Sequence, residues 1–273
     1  MKTNKAVGLD NISARLLRIS ANTIAPSIQY LINFSFRSGQ FPRSWKSAKV
    51  KALFKQGDKM DRDNYRPISI LPTVSKVIER AVHSQLYDYL SRNSLLVSNQ
   101  FGFRRGRSTA LAISQFTDVI LGNMDSGLIT GVVYIDLRKA FDTVDHAIML
   151  QKLKGIGIAG VHLSWFASYL SSRKQCTVIG KSSSTDRKVT VGVPQGSILG
   201  PLLFTIYINE LPCCLKNTNV CLFADDTALY CSSKTATDLQ GLLNDDLYRL
   251  AQWLSDHKLT LNIIGKTKFM VIG

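Results

Sequence analysis

The sequence predicts an α+β fold, and three observations predict it. Apolar residues recur with a helical period in some segments and alternate as strands do in others. These segments are mixed, without the regular strand–helix–strand alternation of a doubly wound parallel sheet. Of the 273 residues, 45% are apolar and 19% charged, enough for a buried interior, which excludes a wholly disordered or collagen-like chain. That length suits one large domain or two closely packed ones.

Residues 10–38 place Ile12, Leu16, Leu17, Ile19, Ile24, Ile28, Leu31, Ile32 and Phe34 at mostly helical spacing, with a break expected near Pro26. From Trp45 to Lys55 basic and apolar residues alternate, as in a half-exposed strand. Gly57-Asp58 and Asp61 to Asn64 supply turn chemistry. Tyr65 to Leu71 reads as a second strand, closing a hairpin with Lys55 and Arg66 near its two arms. Residues 74–91 and 109–124 read as helices on either side of a polar, glycine-rich segment, Asn99 to Thr109. Gly131-Val-Val-Tyr-Ile-Asp136 is a short apolar strand tipped with an acid, and a helix follows from Asp145 to Lys154, then a more irregular region. Val220 to Cys231 reads as strand, tight turn, strand, with Asp225 and Asp226 at the turn. Residues 236–256 form an amphipathic helix whose leucines, from Leu239 to Leu250, serve packing, and Phe269 to Ile272 is a last apolar strand.

Lys plus Arg number 34 against 19 Asp plus Glu, a net charge of +15, so a polyanion is the first partner to expect. Residues 1–110 carry 19 basic and 6 acidic side chains, a net of +13, leaving only +2 for the other 163. The first stretch is suited to holding phosphates. Cys176, Cys213, Cys214, Cys221 and Cys231 show no paired CxxC spacing, so neither a zinc site nor a disulfide framework is expected and a reducing compartment is the default. The start, MKTNKAVGLDNIS, lacks the apolar run of a signal peptide. The longest uncharged stretch, Val189 to Asn209, holds two prolines and three glycines and makes a poor bilayer span. The expectation is an intracellular protein, in the nucleus or cytoplasm, with no membrane partner.

An apolar strand that ends in Asp sets a carboxylate at the edge of a core, where a lone charge is costly. If the two acid-tipped strands lie side by side, Asp136 meets Asp225 and Asp226. Carboxylates so crowded repel one another unless a cation sits between them, and hard oxygen ligands favour Mg²⁺. Turn or cap duty is the other reading of each Asp. Consecutive strand residues face opposite ways, so one of Asp225 and Asp226 can be a supporting residue only.

Asp136-Leu-Arg-Lys-Ala-Phe-Asp142, Pro194-Gln-Gly-Ser197 and Phe223-Ala-Asp-Asp226 occur in the order and style of reverse transcriptase palm motifs. Upstream, Asn64-Tyr-Arg-Pro-Ile-Ser69 and Gln100-Phe-Gly-Phe-Arg-Arg-Gly-Arg-Ser-Thr109 resemble the fingers of non-LTR (LINE-type) retrotransposon reverse transcriptases. The resemblance runs from Lys5-Ala-Val-Gly-Leu-Asp10 to Lys266-Thr-Lys268. It implies a right-hand polymerase with an antiparallel palm sheet packed on helices. Residues 1–130 would be basic fingers, with the hairpin near 46–71, and adjoining palm helices. Residues 131–273 would be palm, with an inserted segment near 150–190. The implied activity is RNA-directed DNA polymerisation, a two-metal nucleotidyl transfer from a dNTP to a primer 3′-hydroxyl. RNA template, DNA primer and dNTPs are the implied partners, with no small-molecule cofactor and no protein partner specified.

The same resemblance assigns roles. Asp136, Asp225 and Asp226 would be catalytic and would hold two Mg²⁺ ions, with Mn²⁺ as a substitute. Lys55, Arg66 and, less specifically, Arg104 would grip the triphosphate; Phe141 would be the steric gate against a 2′-hydroxyl. Gln195 and Gly196 would contact the nascent base pair and template, glycine permitting close backbone approach. Lys266 would protonate pyrophosphate, although the family usually reads Leu-Asn-x-x-Lys, and here Leu261-Asn262 is followed by Ile-Ile-Gly before the lysine. Relatives continue into a thumb and usually carry an endonuclease upstream, so a domain truncated at both ends, with thumb missing and weak template binding, is expected. The alternative reading is a catalytically weak or inactive retroelement fragment that retains only nucleic-acid binding. An RNA-dependent RNA polymerase is disfavoured by the bulk of Phe141.

Overall fold

The structure, a computed structural model, describes residues 6–262 and 267–273. Its helices are α1 (Ala14–Ile19), α2 (Ala21–Ser38), α3 (Ser75–Arg92), α4 (Thr109–Asp125), α5 (His146–Gly155), α6 (Gly160–Leu170), α7 (Leu199–Tyr207) and α8 (Ala236–Asp256). Its strands are β1 (Ser47–Phe54), β2 (Tyr65–Ile70), β3 (Ile129–Asp136), β4 (Arg173–Ile179), β5 (Ser182–Ser183), β6 (Arg187–Val189), β7 (Asn219–Phe223), β8 (Asp226–Ser233) and β9 (Lys268–Ile272). Helices and strands are mixed, as the periodicities predict. They form two compact units, Met1–Tyr89 with His146–Gly200, and Leu90–Asp145 with Pro201–Gly273.

Residues 146–200 group with the amino-terminal segment. The reason is a strand pairing: β4 runs parallel to β1, with Ser47 opposite Lys174 and Val50 opposite Thr177. The sheet of this unit has the order β2-β1-β4-β5, with β6 also on β4. Pro67 sits in β2, an edge strand, where a missing ladder donor is tolerated. The helical break falls at Ser20 rather than Pro26, which lies inside α2. There the Ser20 hydroxyl donates to the Leu16 carbonyl at 2.8 Å, while Pro26 is exposed, so the carbonyl it leaves without an N–H can be hydrated. Phe41 packs edge-on against Trp165 and Tyr169, with ring centroids 5.5 and 5.1 Å away. Beside them Glu79 is fully buried and accepts from the backbone N–H groups of Ile198 and Leu199 at 2.7 and 3.3 Å. Burial pushes the Glu79 carboxyl up, against those hydrogen bonds and the Arg173 charge.

The second unit is built on an antiparallel sheet of order β7-β8-β3-β9. α8 starts at a cap in which the Thr235 hydroxyl accepts from the Asp238 N–H at 3.1 Å. Its Leu239 and Leu243 lie against Gly131 of β3, where a Cβ would stand 2.7 Å from the Leu243 side chain. The leucine stripe is packing, as expected: Leu239, Leu243, Leu250 and Leu254 are buried. Asp246, on the same helix and fully buried, accepts from the backbone N–H groups of Lys216, Asn217 and Thr218, tying the turn before β7 to α8. Among the described residues no helix is long and apolar enough to cross a membrane. The five cysteines are free thiols.

Candidate active site

β3 is apolar through Val132, Val133 and Ile135, all buried, and so is fixed in the centre of its sheet. It delivers Asp136 to the sheet's end, directly opposite Asp226, the first residue of β8. Residues directly opposite in an antiparallel pair project on the same face, with Cβ atoms about 5 Å apart. Two like charges so placed repel, and an interposed cation relieves the repulsion. Asp225 occupies the two-residue turn, Ala224-Asp225, that links β7 to β8, with Phe223 opposite Asp226. Asp136 and Asp225 are half-buried and Asp226 is exposed. The strands thus bring all three acids to one end of one sheet. Among the described residues no group of three or more His, Cys, Asp or Glu side chains is arranged to hold a metal ion. The oxygen-only pair of Asp136 and Asp226 is nevertheless the donor type that Mg²⁺ takes with waters and substrate phosphates completing its shell.

Two supports of these acids escape a reading by periodicity. Asn262 donates through its side-chain amide to Asp136 Oδ2 at 2.8 Å and through its backbone N–H to the Asp136 carbonyl at 2.9 Å. The carboxylate is thereby oriented, and residues 260–262 run along 136–138, with Arg138 N–H donating to the Thr260 carbonyl at 2.8 Å. The second support is Gln100, 1% exposed, whose Oε1 accepts from Gly102 N–H at 2.7 Å and from Ala224 N–H at 3.1 Å. Ala224 has φ 60, a left-handed conformation unusual outside glycine. Residues 99–102 line up beside β7: Leu222 N–H donates to the Asn99 carbonyl and Phe101 N–H to the Leu222 carbonyl. A Cβ on Gly102 would stand 2.3 Å from the Ala224 nitrogen, so only glycine lets the backbone approach this turn. The sequence signal available was the Gln-Phe-Gly block itself, which the family resemblance places in the fingers.

Phe141 lies in a short 3₁₀ turn, Ala140–Asp142, half-buried, its ring 4.6 Å from that of Phe204 and edge-on to Phe103 at 6.2 Å. A cavity of 730 Å³ opens beside the acids, lined among others by Phe116, Tyr134, Asp136, Phe223, Asp226 and Lys268. Lys268 is a cation at this cavity that the sequence reading did not single out. Arg104 is half-buried and its guanidinium donates to the Val97 carbonyl, an anchoring contact within its own loop. Asp145 pairs with Lys258 at 2.6 Å. Lys266 lies outside the described residues.

The other expected residues belong to the first unit. Leu53 stands opposite Arg66, and Lys55 N–H donates to the Asn64 carbonyl at 2.9 Å, which puts Lys55 and Arg66 diagonally on one face of the hairpin, both exposed. Gln195 accepts at its carbonyl from Ser69 N–H of β2 at 2.7 Å. Gly196 has φ 112, and a Cβ there would stand 2.6 Å from the Ser69 carbonyl oxygen. Glycine is therefore required for the 194–197 turn to reach β2. The hairpin carries both cations and its strand β2 receives the 194–197 turn, while Asp136, Asp225 and Asp226 gather at one end of the second unit's sheet.

Comparison with known proteins gives a family match over residues 55–271, to the family described as reverse transcriptase (RNA-dependent DNA polymerase). Two Drosophila melanogaster proteins, the probable RNA-directed DNA polymerases from transposon BS and from transposon X-element, are 32% and 31% identical over 94% and 95% of the chain. A Pol polyprotein from the type-1 retrotransposable element R2 of Popillia japonica is 30% identical over 66% of the chain. The chain spans 29% of the length of the two Drosophila proteins and 25% of the third.

Proposed function

Since this chain belongs to the reverse transcriptase (RNA-dependent DNA polymerase) family, of the non-LTR retrotransposon kind, we propose that it extends a DNA primer on an RNA template from dNTPs. The observation that carries this reading is Asp136 opposite Asp226 at the end of one sheet, with Asp225 in the adjoining turn. In this proposal the three aspartates hold Mg²⁺, or Mn²⁺ in its place. Bound there, the metal would lower the pKa of the primer 3′-hydroxyl and neutralise charge on the triphosphate and departing pyrophosphate. Asn262 keeps the Asp136 carboxylate aimed, and Gln100 fixes the turn that carries Asp225.

The hairpin unit takes the role of fingers and the β7-β8-β3-β9 unit that of palm. Lys55 and Arg66 supply charge to the triphosphate from one hairpin face, with Arg104 as a further cation. Phe141, backed by Phe204, excludes a ribose 2′-hydroxyl, and Gln195 with Gly196 faces the nascent base pair. Phosphoryl transfer asks chiefly for positioning and charge neutralisation, and both are available from these residues.

Primer extension on an RNA template, comparing wild type with Asp225→Asn, tests the reading. Loss of incorporation by at least about 100-fold is expected for removal of one charge-bearing ligand. Equal incorporation by the two proteins would refute the assignment. RNA binding that weakens with rising salt, without extension by either protein, would favour the binding-only fragment.

A further inference from the structure

We propose that the first unit carries an oxyanion subsite, suited to a phosphate group, centred on Lys46. This lysine precedes β1 and is only 7% exposed, so little of it reaches bulk water. Its Nζ has three N–H donors and, among the described residues, one partner: Ser168 Oγ at 3.3 Å. That hydroxyl is itself committed, accepting from Phe41 N–H at 3.0 Å and donating to Gln40 Oε1 at 3.2 Å, so the oxygen that holds Lys46 is a neutral one. Among the described residues no carboxylate pairs with Lys46, and the charges acting on it, those of Arg173 and Arg43, are both positive. Burial and these two cations hold the ammonium below its usual range. A buried cation with donors to spare and positive neighbours is stabilised by an anion.

The space for one is present. A cavity of 550 Å³ is lined by Lys46, Gln40, Ser168, Ser171, Ser172 and His146, among others. Ser171 and Ser172 are exposed at its rim, and the His146 ring is anchored by Nε2 on the Gly192 carbonyl at 2.8 Å. The Ser168 hydroxyl proton goes to Gln40 and that of Ser171 to the Ser168 carbonyl at 3.4 Å, so the spare donors are those of the Lys46 ammonium, which on a cavity with no acid among its lining residues match the acceptor-only surface of a phosphate. The phosphate can come from free anion in solution or from the backbone of a nucleic-acid strand. The subsite does not depend on the polymerase reading, and an Asp225→Asn protein should show it equally.

The test is a titration of the whole chain, labelled with ¹³C at lysine Cε, followed by NMR with the Lys46 signal assigned through Lys46→Arg. Inorganic phosphate should move the Lys46 signal saturably, and chloride at equal ionic strength should not. Ser171→Ala with Ser172→Gly, the glycine suiting φ 56 at that position, should weaken phosphate binding by about ten-fold. If a short single-stranded RNA moves the same signal and blocks the phosphate response, the natural source is a strand phosphate. If RNA binds elsewhere and leaves the signal in place, the source is free anion. A Lys46 signal indifferent to both probes overturns the proposal, as does a phosphate response unchanged in the serine variant.

Discussion

At Ala224 the backbone takes φ 60, which costs an L-residue about 1–2 kcal/mol and persists only when surroundings enforce it. The enforcing group is Gln100, a buried side chain whose one oxygen serves two backbone donors on either side of a close chain crossing. Gln100→Leu keeps the bulk and removes the acceptor, leaving the N–H groups of Gly102 and Ala224 without it. The expected cost is about 2 kcal/mol of unfolding free energy, measured by urea denaturation. Because the turn carries Asp225, primer extension should fall further than the lost stability accounts for. Unchanged extension would mean that the turn is held by β7 and β8 alone. Gln100 and Asn262 sit in blocks that resemble the family, but their supporting roles are not written there, since a polar residue in a loop looks the same whether it faces solvent or a distant backbone.

Elements show a similar division between local and distant causes. α8 was legible from its leucine spacing, because that spacing is written within one helix. Its Asp246 was not, because its partners are the backbone N–H groups of a turn some thirty positions earlier. Burial alone would raise this carboxyl, but the hydrogen bonds from Asn217, Lys216 and Thr218 outweigh it and hold the group below the usual carboxylate range. A depressed folded-state pKa contributes stability that is present above the unfolded value, near 4, and lost as pH falls through the folded value. Asp246→Asn should therefore be less stable than wild type at neutral pH by about 1–3 kcal/mol, and thermal melts should show the gap narrowing below about pH 4. A gap independent of pH would mean that the charge is not what matters. The break between α1 and α2 went the other way: Pro26 gives a strong local signal, yet an exposed helix face absorbed it and the break fell at Ser20.

On the scale of the whole molecule, the net charge of +15, with +13 carried by residues 1–110, leads us to expect that phosphate neutralisation would supply most of the proposed nucleic-acid affinity. The logarithm of the affinity for single-stranded RNA should fall linearly with that of salt concentration, by about 0.7 for each phosphate neutralised. Filter binding across a salt series measures this, and a slope near zero would remove polyanion binding as the meaning of the charge. The sequence by itself determined the charge asymmetry, most helices and strands, and the two strands tipped with Asp136 and with Asp225 and Asp226, because each depends on composition or on a period a few residues long. Only the tertiary structure decided that β4 joins β1, that Gln100 and Asn262 grip the acid-bearing segments, and that Lys46 is buried beside a hydroxyl-lined cavity. Those outcomes depend on which distant segments meet, and a backbone N–H or a side-chain amide carries no local mark of the partner it will find.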